Sequence, residues 1–146
     1  MKVRELMTAQ PTTVQPDATL GEVATLMKQQ DCGSIPVVEA GSLVGIVTDR
    51  DIVVRGIAAG VDPKTQSVSK VMSASPVTVS PDDDVTDAER KMADRQIRRL
   101  PVVEGGRLVG IIVTAQIARA GNERKVGETL KGISESRSAR GSHASG

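Results

Sequence analysis

The sequence predicts an α+β fold (α/β in the broad sense) in which two β-α-β-β-α units pack about a pseudo-twofold axis. Three observations lead there. Displacing the sequence against itself by 65 positions aligns residues 3–54 with 68–119 without a gap, which marks a tandem duplication. Each copy alternates β-branched runs with runs of helical spacing. A unit of roughly 60 residues buries too little surface to be comfortable alone, so the copies are expected to pack sheet to sheet, leaving two symmetry-related clefts.

Taken in order, each repeat opens on matching segments. Met7-Thr8-Ala9-Gln10-Pro11 answers Met72-Ser73-Ala74-Ser75-Pro76, and Thr13-Val14-Gln15-Pro16-Asp17 answers Thr78-Val79-Ser80-Pro81-Asp82. A short β-rich run is expected at 12–14 and at 77–79. A proline follows, then a Thr or an acid suited to capping a helix. Leu20, Val23, Ala24 and Met27 in the first repeat, and Val85, Ala88 and Met92 in the second, are spaced for one buried helical face. Two β-branched runs come next, 35–38 then 43–47, parted by Glu39-Ala40-Gly41-Ser42, which reads as a hairpin turn. Glu104-Gly105-Gly106-Arg107 repeats the turn. A second helix is predicted from Asp49 or Thr114, carrying Ile52, Val53 and Ile57, or Ile117 and Ala118, and ending near Gly60 and Gly121. Residues 60–67 read as a crossover rather than a flexible tether.

The resulting division is repeat 1 at 1–62, repeat 2 at 63–121 and a C-terminal extension at 122–146. In the extension a weak helix through Val126, Leu130 and Ile133 is expected to precede a Ser/Arg/Gly tail.

Composition narrows the function. Nineteen basic and eighteen acidic residues leave a formal charge of +1, so no general attraction to nucleic acid or anionic membrane is expected. The chain has no Phe, Tyr or Trp. Single-stranded nucleic acid would find no ring to stack on, and an adenine would need an aliphatic sandwich. No apolar stretch is long enough for a membrane helix, and the N-terminus lacks a secretory apolar region. A cytoplasmic location is expected, which a lone thiol, Cys32, fits. Catalysis is not expected: the single histidine, His143, lies in the tail, and no phosphate loop of Walker type or dinucleotide fingerprint is present. Asp82-Asp83-Asp84 reads as helix capping rather than a cation site.

The paired Ile35-Pro36-Val37-Val38 and Leu43-Val44-Gly45-Ile46-Val47-Thr48-Asp49-Arg50-Asp51 resemble the tandem CBS-domain pair, or Bateman module, across residues 3–120. Within that family the chain is similar to the stand-alone bacterial pairs of the hypoxic-response type. The family's nucleotide motif is Gly, two apolar residues, Thr or Ser, two variable residues and Asp, and residues 45–51 fit it throughout. A strand there meets a helix N-terminus, where free N–H groups and the helix dipole suit a phosphate. The resemblance implies that Asp51 accepts the ribose hydroxyls while Thr48 and Arg50 serve the phosphate. Ile46, Pro76, Val77, Ile97, Arg98, Arg99 and Pro101 complete that cleft, the arginines as phosphate ligands. Each motif residue also has a plainer role: Thr48 as a helix cap, Asp51 as an N-terminal helix charge, Arg98 and Arg99 as solvated charges at a helix end.

In the other cleft the motif reads Gly110-Ile111-Ile112-Val113-Thr114-Ala115-Gln116, so Val113 replaces the Thr and Gln116 the Asp. The implied lining is Pro11, Thr12, Cys32, Gly33, Ser34, Pro36, Thr114 and Gln116, a weaker site. The resemblance thus implies a regulatory module that binds an adenine nucleotide, with or without magnesium, and holds no catalytic cofactor. It further implies a homodimer and an unspecified regulated protein, with the apolar stripes Leu20 to Met27 and Ile52 to Ile57 as contact surfaces or as intrachain core. A ligand-free structural or protein-interaction module is the alternative.

Overall fold

The computed structural model describes residues 1–132, with side chains described to residue 123. Two antiparallel hairpins form its centre: β2 (Ser34–Glu39) with β3 (Ser42–Thr48), and β5 (Arg99–Glu104) with β6 (Arg107–Val113). Both turns need two successive residues at positive φ, the I′ requirement. Gly41 and the Gly105-Gly106 pair meet it freely, while Ala40 adopts φ 52°. The turn tips meet each other. The Leu43 N–H donates to the Gly106 carbonyl and the Leu108 N–H to the Gly41 carbonyl, both at 3.3 Å, and this reciprocal pair joins the hairpins into one six-stranded sheet.

Each repeat's opening segment lies on the other repeat's sheet. Strand β1 (Thr8–Ala9) pairs with β6, and β4 (Ser73–Ala74) pairs with β3. The apolar residues flanking these strands follow them. Val3, Leu6 and Met7, from the short helix α1 (Val3–Leu6) and just beyond, pack with Leu100, Val102 and Ile112 of the second repeat. Val68, Val71 and Met72 pack with Leu20, Ile35 and Val47 of the first. The duplication therefore divides the chain near residue 62, whereas the two cores interleave across that division.

The crossing explains the motif glycines. A Cβ at Gly45 would lie 2.9 Å from the Ser73 carbonyl oxygen, and one at Gly110 would lie 2.9 Å from that of Thr8. Only a bare backbone lets the neighbouring strand sit so close.

Helix α2 (Leu20–Gln30) starts with a capping box between Thr19 and Glu22, and α3 (Val85–Arg95) starts with Asp84 accepting the Thr86 N–H. Val85, Ala88 and Met92 are buried as the spacing predicts. In α2 the buried positions are Leu20, Val23 and Met27, and Ala24 is exposed. Leu26 packs on the core in its place, because the longer side chain reaches the sheet from the edge of the stripe. The linker is pinned: the α2 N-terminus donates from Leu20 to Gln66 O and from Gly21 to Pro63 O, and Val68 donates to Ala18 O.

Three expectations are corrected and one open alternative is settled. The runs 12–14 and 77–79 are reduced to single parallel bridges, Val14 to Val37 and Val79 to Val102; the short strands form earlier, where the chain crosses to the other sheet. The helix after β3 is a π-helix over Asp51–Ile57 that buries Ile52 and Gly56 and leaves Val53 and Ile57 exposed. Gly56 is why it lies so close: a Cβ there would meet Leu20 Cδ1 at 2.8 Å. Its counterpart α4 (Thr114–Gly132) does not end at Gly121, since Gly121, unlike Gly60 at φ 85°, does not turn left-handed. Ile117 of α4 packs on the second core, while Ala118 is exposed. Finally, the Leu20–Met27 stripe is intrachain core and not a free contact surface. Ile133 and His143 lie outside the described residues.

Candidate functional site

Where β3 ends, the backbone turns into helix and leaves its first N–H groups without helical partners. Thr48 and Asp51 answer this reciprocally. The Asp51 N–H donates to Thr48 Oγ1 at 3.0 Å, and the Thr48 N–H donates to Asp51 Oδ2 at 2.9 Å. This is a capping box with Asp in the acidic position, so the plainer reading of both residues holds locally. The box does not exhaust the carboxylate. Its second oxygen, Oδ1, has Arg55 Nη1 at 3.8 Å as its neighbour, and a carboxylate oxygen has further acceptor capacity.

This joint opens onto a cavity of about 870 Å³, toward the upper end of the roughly 300–1,000 Å³ usual for small-molecule pockets. All ten residues assigned from the sequence to the first cleft line it: Ile46, Thr48, Arg50 and Asp51 from one repeat, and Pro76, Val77, Ile97, Arg98, Arg99 and Pro101 from the other. The β4 crossing is what brings the second set opposite the first, because it carries residues 73–77 over Gly45 and Ile46.

The sequence reading missed eight lining residues: Gly33, Ser34, Asp49, Ser73, Ala74, Ser75, Arg95 and Gln96. Gly33 and Ser34 are a correction, since they were placed in the second cleft. The hairpin register moves them, because pairing back from Glu39 and Ser42 through the bulge at Val37/Val38 sets Ser34 opposite Thr48. That register was countable from the two-residue turn; the bulge was not. Ser34 is 7% exposed, and its hydroxyl has no hydrogen-bond partner. Asp49 reaches back over Gly33, where a Cβ would come within 3.2 Å of its carboxylate. Ser75 and Gln96 hold positive φ, as do their repeat counterparts Gln10 and Asp31. The strained positions thus belong to the fold and not to this cavity alone.

Electrostatically, the lining carries four guanidinium groups, Arg50, Arg95, Arg98 and Arg99, against the carboxylates of Asp49 and Asp51. Asp49 accepts the Arg50 backbone N–H at 2.8 Å. Among the described residues none of the four guanidinium groups forms a salt bridge.

The equivalent joint in the second repeat is built differently. Gln116 Oε1 accepts the Val113 N–H at 2.9 Å, as Asp51 does for Thr48, but Val113 has no hydroxyl to return. The Gln116 amide instead donates to Thr8 Oγ1 at 2.9 Å, fastening β1 to the joint. Of the remaining residues assigned there, Pro36 is buried in β2, and Cys32 packs against the first core. Pro11, Thr12 and Thr114 line no part of the cavity described above.

The two repeats match the family model described as CBS domain, over residues 3–56 and 68–123. The chain belongs to the CBS domain family. Similar CBS proteins include YhcV, a CBS domain-containing protein of Bacillus subtilis (strain 168), 46% identical over 134 residues that cover 90% of this chain and 94% of the relative. Hypoxic response protein 1 of Mycobacterium tuberculosis is 36% identical over 131 residues, covering 89% and 92%. Among solved structures, Hypoxic Response Protein I with two coordinated zinc ions superposes with a TM-score of 0.77 at 36% identity, covering 82% of this chain and 98% of that one. CBSX2 in complex with AMP gives 0.75 at 26%, covering 85% and 98%. The CBS domain pair of MJ0100 in complex with 5-methylthioadenosine and S-adenosyl-L-methionine gives 0.74 at 25%, covering 85% and 98%. Among the described residues of this CBS pair, no group of three or more His, Cys, Asp or Glu side chains is placed to hold a metal.

Proposed function

We propose that this CBS pair is a regulatory module that binds an adenosine-containing ligand in the cavity between its repeats and carries out no chemistry on it. One observation carries the reading: a strand-to-helix joint with a spare carboxylate oxygen faces unpaired arginines of the other repeat across one cavity. The complexes of CBSX2 with AMP and of MJ0100 with adenosyl compounds support it. In this reading Asp51 Oδ1 takes ribose hydroxyls, and Ile46, Val77, Ile97, Pro76 and Pro101 sandwich the base, as a chain without aromatic rings requires. The arginines take phosphate, and any magnesium arrives on the phosphates. Because the ligand touches both repeats, binding shifts their relative arrangement and alters a surface seen by a partner protein.

The module acts as a cytoplasmic homodimer. Among the described residues no helix is long and apolar enough to cross a membrane. Val53, Val54 and Ile57 of the π-helix, each about half exposed, form the contact face.

The test is a melting screen with AMP, ADP, ATP, NAD and S-adenosylmethionine. A ligand at about 100 times its Kd adds about 2.7 kcal/mol, which is several degrees in Tm for a chain of this size. No shift with any of them at millimolar concentration overturns the reading. The second reading, a ligand-free interaction module, is favoured by the closed Thr48–Asp51 capping box and predicts that null screen.

A further inference from the structure

We infer that the ligand carries two or more phosphates, so that the cavity selects nucleoside di- and triphosphates over AMP and rejects S-adenosylmethionine and methylthioadenosine. The inference rests on the adenosine reading for the base end of the site only; the phosphate end is argued from charge and placement.

Four guanidinium groups against two carboxylates leave the lining a surplus of two positive charges. A terminal phosphate carries roughly −1.5 to −2 at neutral pH. AMP comes close to matching this surplus, and each further phosphate adds about one charge that the four guanidinium groups attract. Methylthioadenosine brings no phosphate. S-adenosylmethionine brings a sulfonium cation and a zwitterionic amino-acid end, a net charge of about +1, which a lining with surplus positive charge disfavours.

Placement points the same way. Arg98 and Arg99 stand at the start of β5 and Arg95 at the end of α3, all in the second repeat; Arg50 stands on the opposite wall, where the π-helix begins. A single phosphate beside Arg98 and Arg99 leaves Arg50 across the cavity without an anion. A chain of two or three phosphates reaches both walls and ties the repeats together through planar bidentate donors suited to phosphate oxygens. Among the described residues the Asp49 carboxylate forms no salt bridge with Arg50 and instead accepts the Arg50 backbone N–H.

Duplication did not supply this charge. The counterparts of Arg98 and Arg99 in the first repeat are Gly33 and Ser34, and the counterpart of Arg95 is Gln30. The arginines are specific to one repeat.

Calorimetry on the full chain with ATP, ADP, AMP, adenosine, S-adenosylmethionine and inorganic tripolyphosphate tests the proposal. ATP is expected to bind at least about tenfold tighter than AMP, and S-adenosylmethionine weaker than AMP. The ATP affinity should fall more steeply with added salt than the AMP affinity, because more charge pairs are screened. In R95A/R98A the ATP-to-AMP ratio should shrink to about threefold or less; both side chains are exposed, and circular dichroism checks that the variant is folded. AMP binding as tightly as ATP, or S-adenosylmethionine binding more tightly than AMP, overturns the proposal. Tripolyphosphate binding while every adenosine compound fails supports the phosphate end and removes the adenosine reading. Failure of all six removes both.

Discussion

Asp51 holds two jobs, and asparagine separates them from alanine. Its Oδ2 accepts the Thr48 N–H at 2.9 Å, and the side chain is 16% exposed. Asparagine keeps an acceptor for that N–H, so Asp51→Asn should hold stability within about 0.5 kcal/mol of the parent. Asp51→Ala removes the acceptor, and loss of a helix-capping group costs about 1 kcal/mol, or roughly 2–4 °C in Tm for a chain of this size. The ligand sees a different ranking. Hydrogen bonds to a charged group contribute about 1.5–3 kcal/mol each, and about 1.4 kcal/mol is a factor of ten in affinity. Losing the charge alone should weaken nucleotide binding by about tenfold or more; losing both oxygens should weaken it by about a hundredfold. Urea denaturation and calorimetry on both variants give the two rankings. An Asp51→Asn protein that binds nucleotide as the parent does would refute the assignment of a ribose contact to this carboxylate and leave Asp51 as a helix cap.

Other consequences follow from the crossing strands and the surface. Gly45→Ala places a Cβ 2.9 Å from the Ser73 carbonyl; overpacking costs about 1–3 kcal/mol against an unfolded-state gain of about 0.4–1 kcal/mol, so the Tm should drop, and an unchanged or higher Tm would contradict the close approach. The Asp84 carboxyl is held down to about 2, chiefly by hydrogen bonds from Thr86 and then from the Met1 amine. Its folded value is below the ordinary 3.8, so its contribution is complete above about pH 3.8 and is lost as the pH falls toward 2. Hydrogen-exchange protection of the docked N-terminal segment, taken relative to the intrinsic rate at each pH, should fall across that window, and less so in Asp84→Asn. In Val53→Lys with Val54→Lys the proposed dimer should become a monomer by light scattering while the circular dichroism spectrum is unchanged; a double variant that still dimerises would place the interface elsewhere.

Much of this was legible along the chain because duplication writes itself as an offset, and because helix caps and I′ turns depend on a few local residues. Thr19, Asp84 and the Gly105-Gly106 turn are of this kind. Ten of the eighteen residues that line the cavity were legible, four within the Gly45–Asp51 motif and six through the family resemblance. Helix ends were less so: Gly60 turns left-handed and Gly121 stays helical, a difference that the residue type, glycine in both, does not encode.

Sequence alone determined that there are two like units, that each contains a strand-to-helix joint, and that only the first joint carries a Thr and an acid. Tertiary structure decided which surfaces meet. Nothing local says that Ser73–Ala74 pairs with β3 or Thr8–Ala9 with β6, yet those pairings interleave the cores and bring the arginines of one repeat opposite the carboxylate of the other. Strand pairing over such separations is chosen by the total burial it permits. That sum runs over residues distant in the chain, so no single window of sequence displays it.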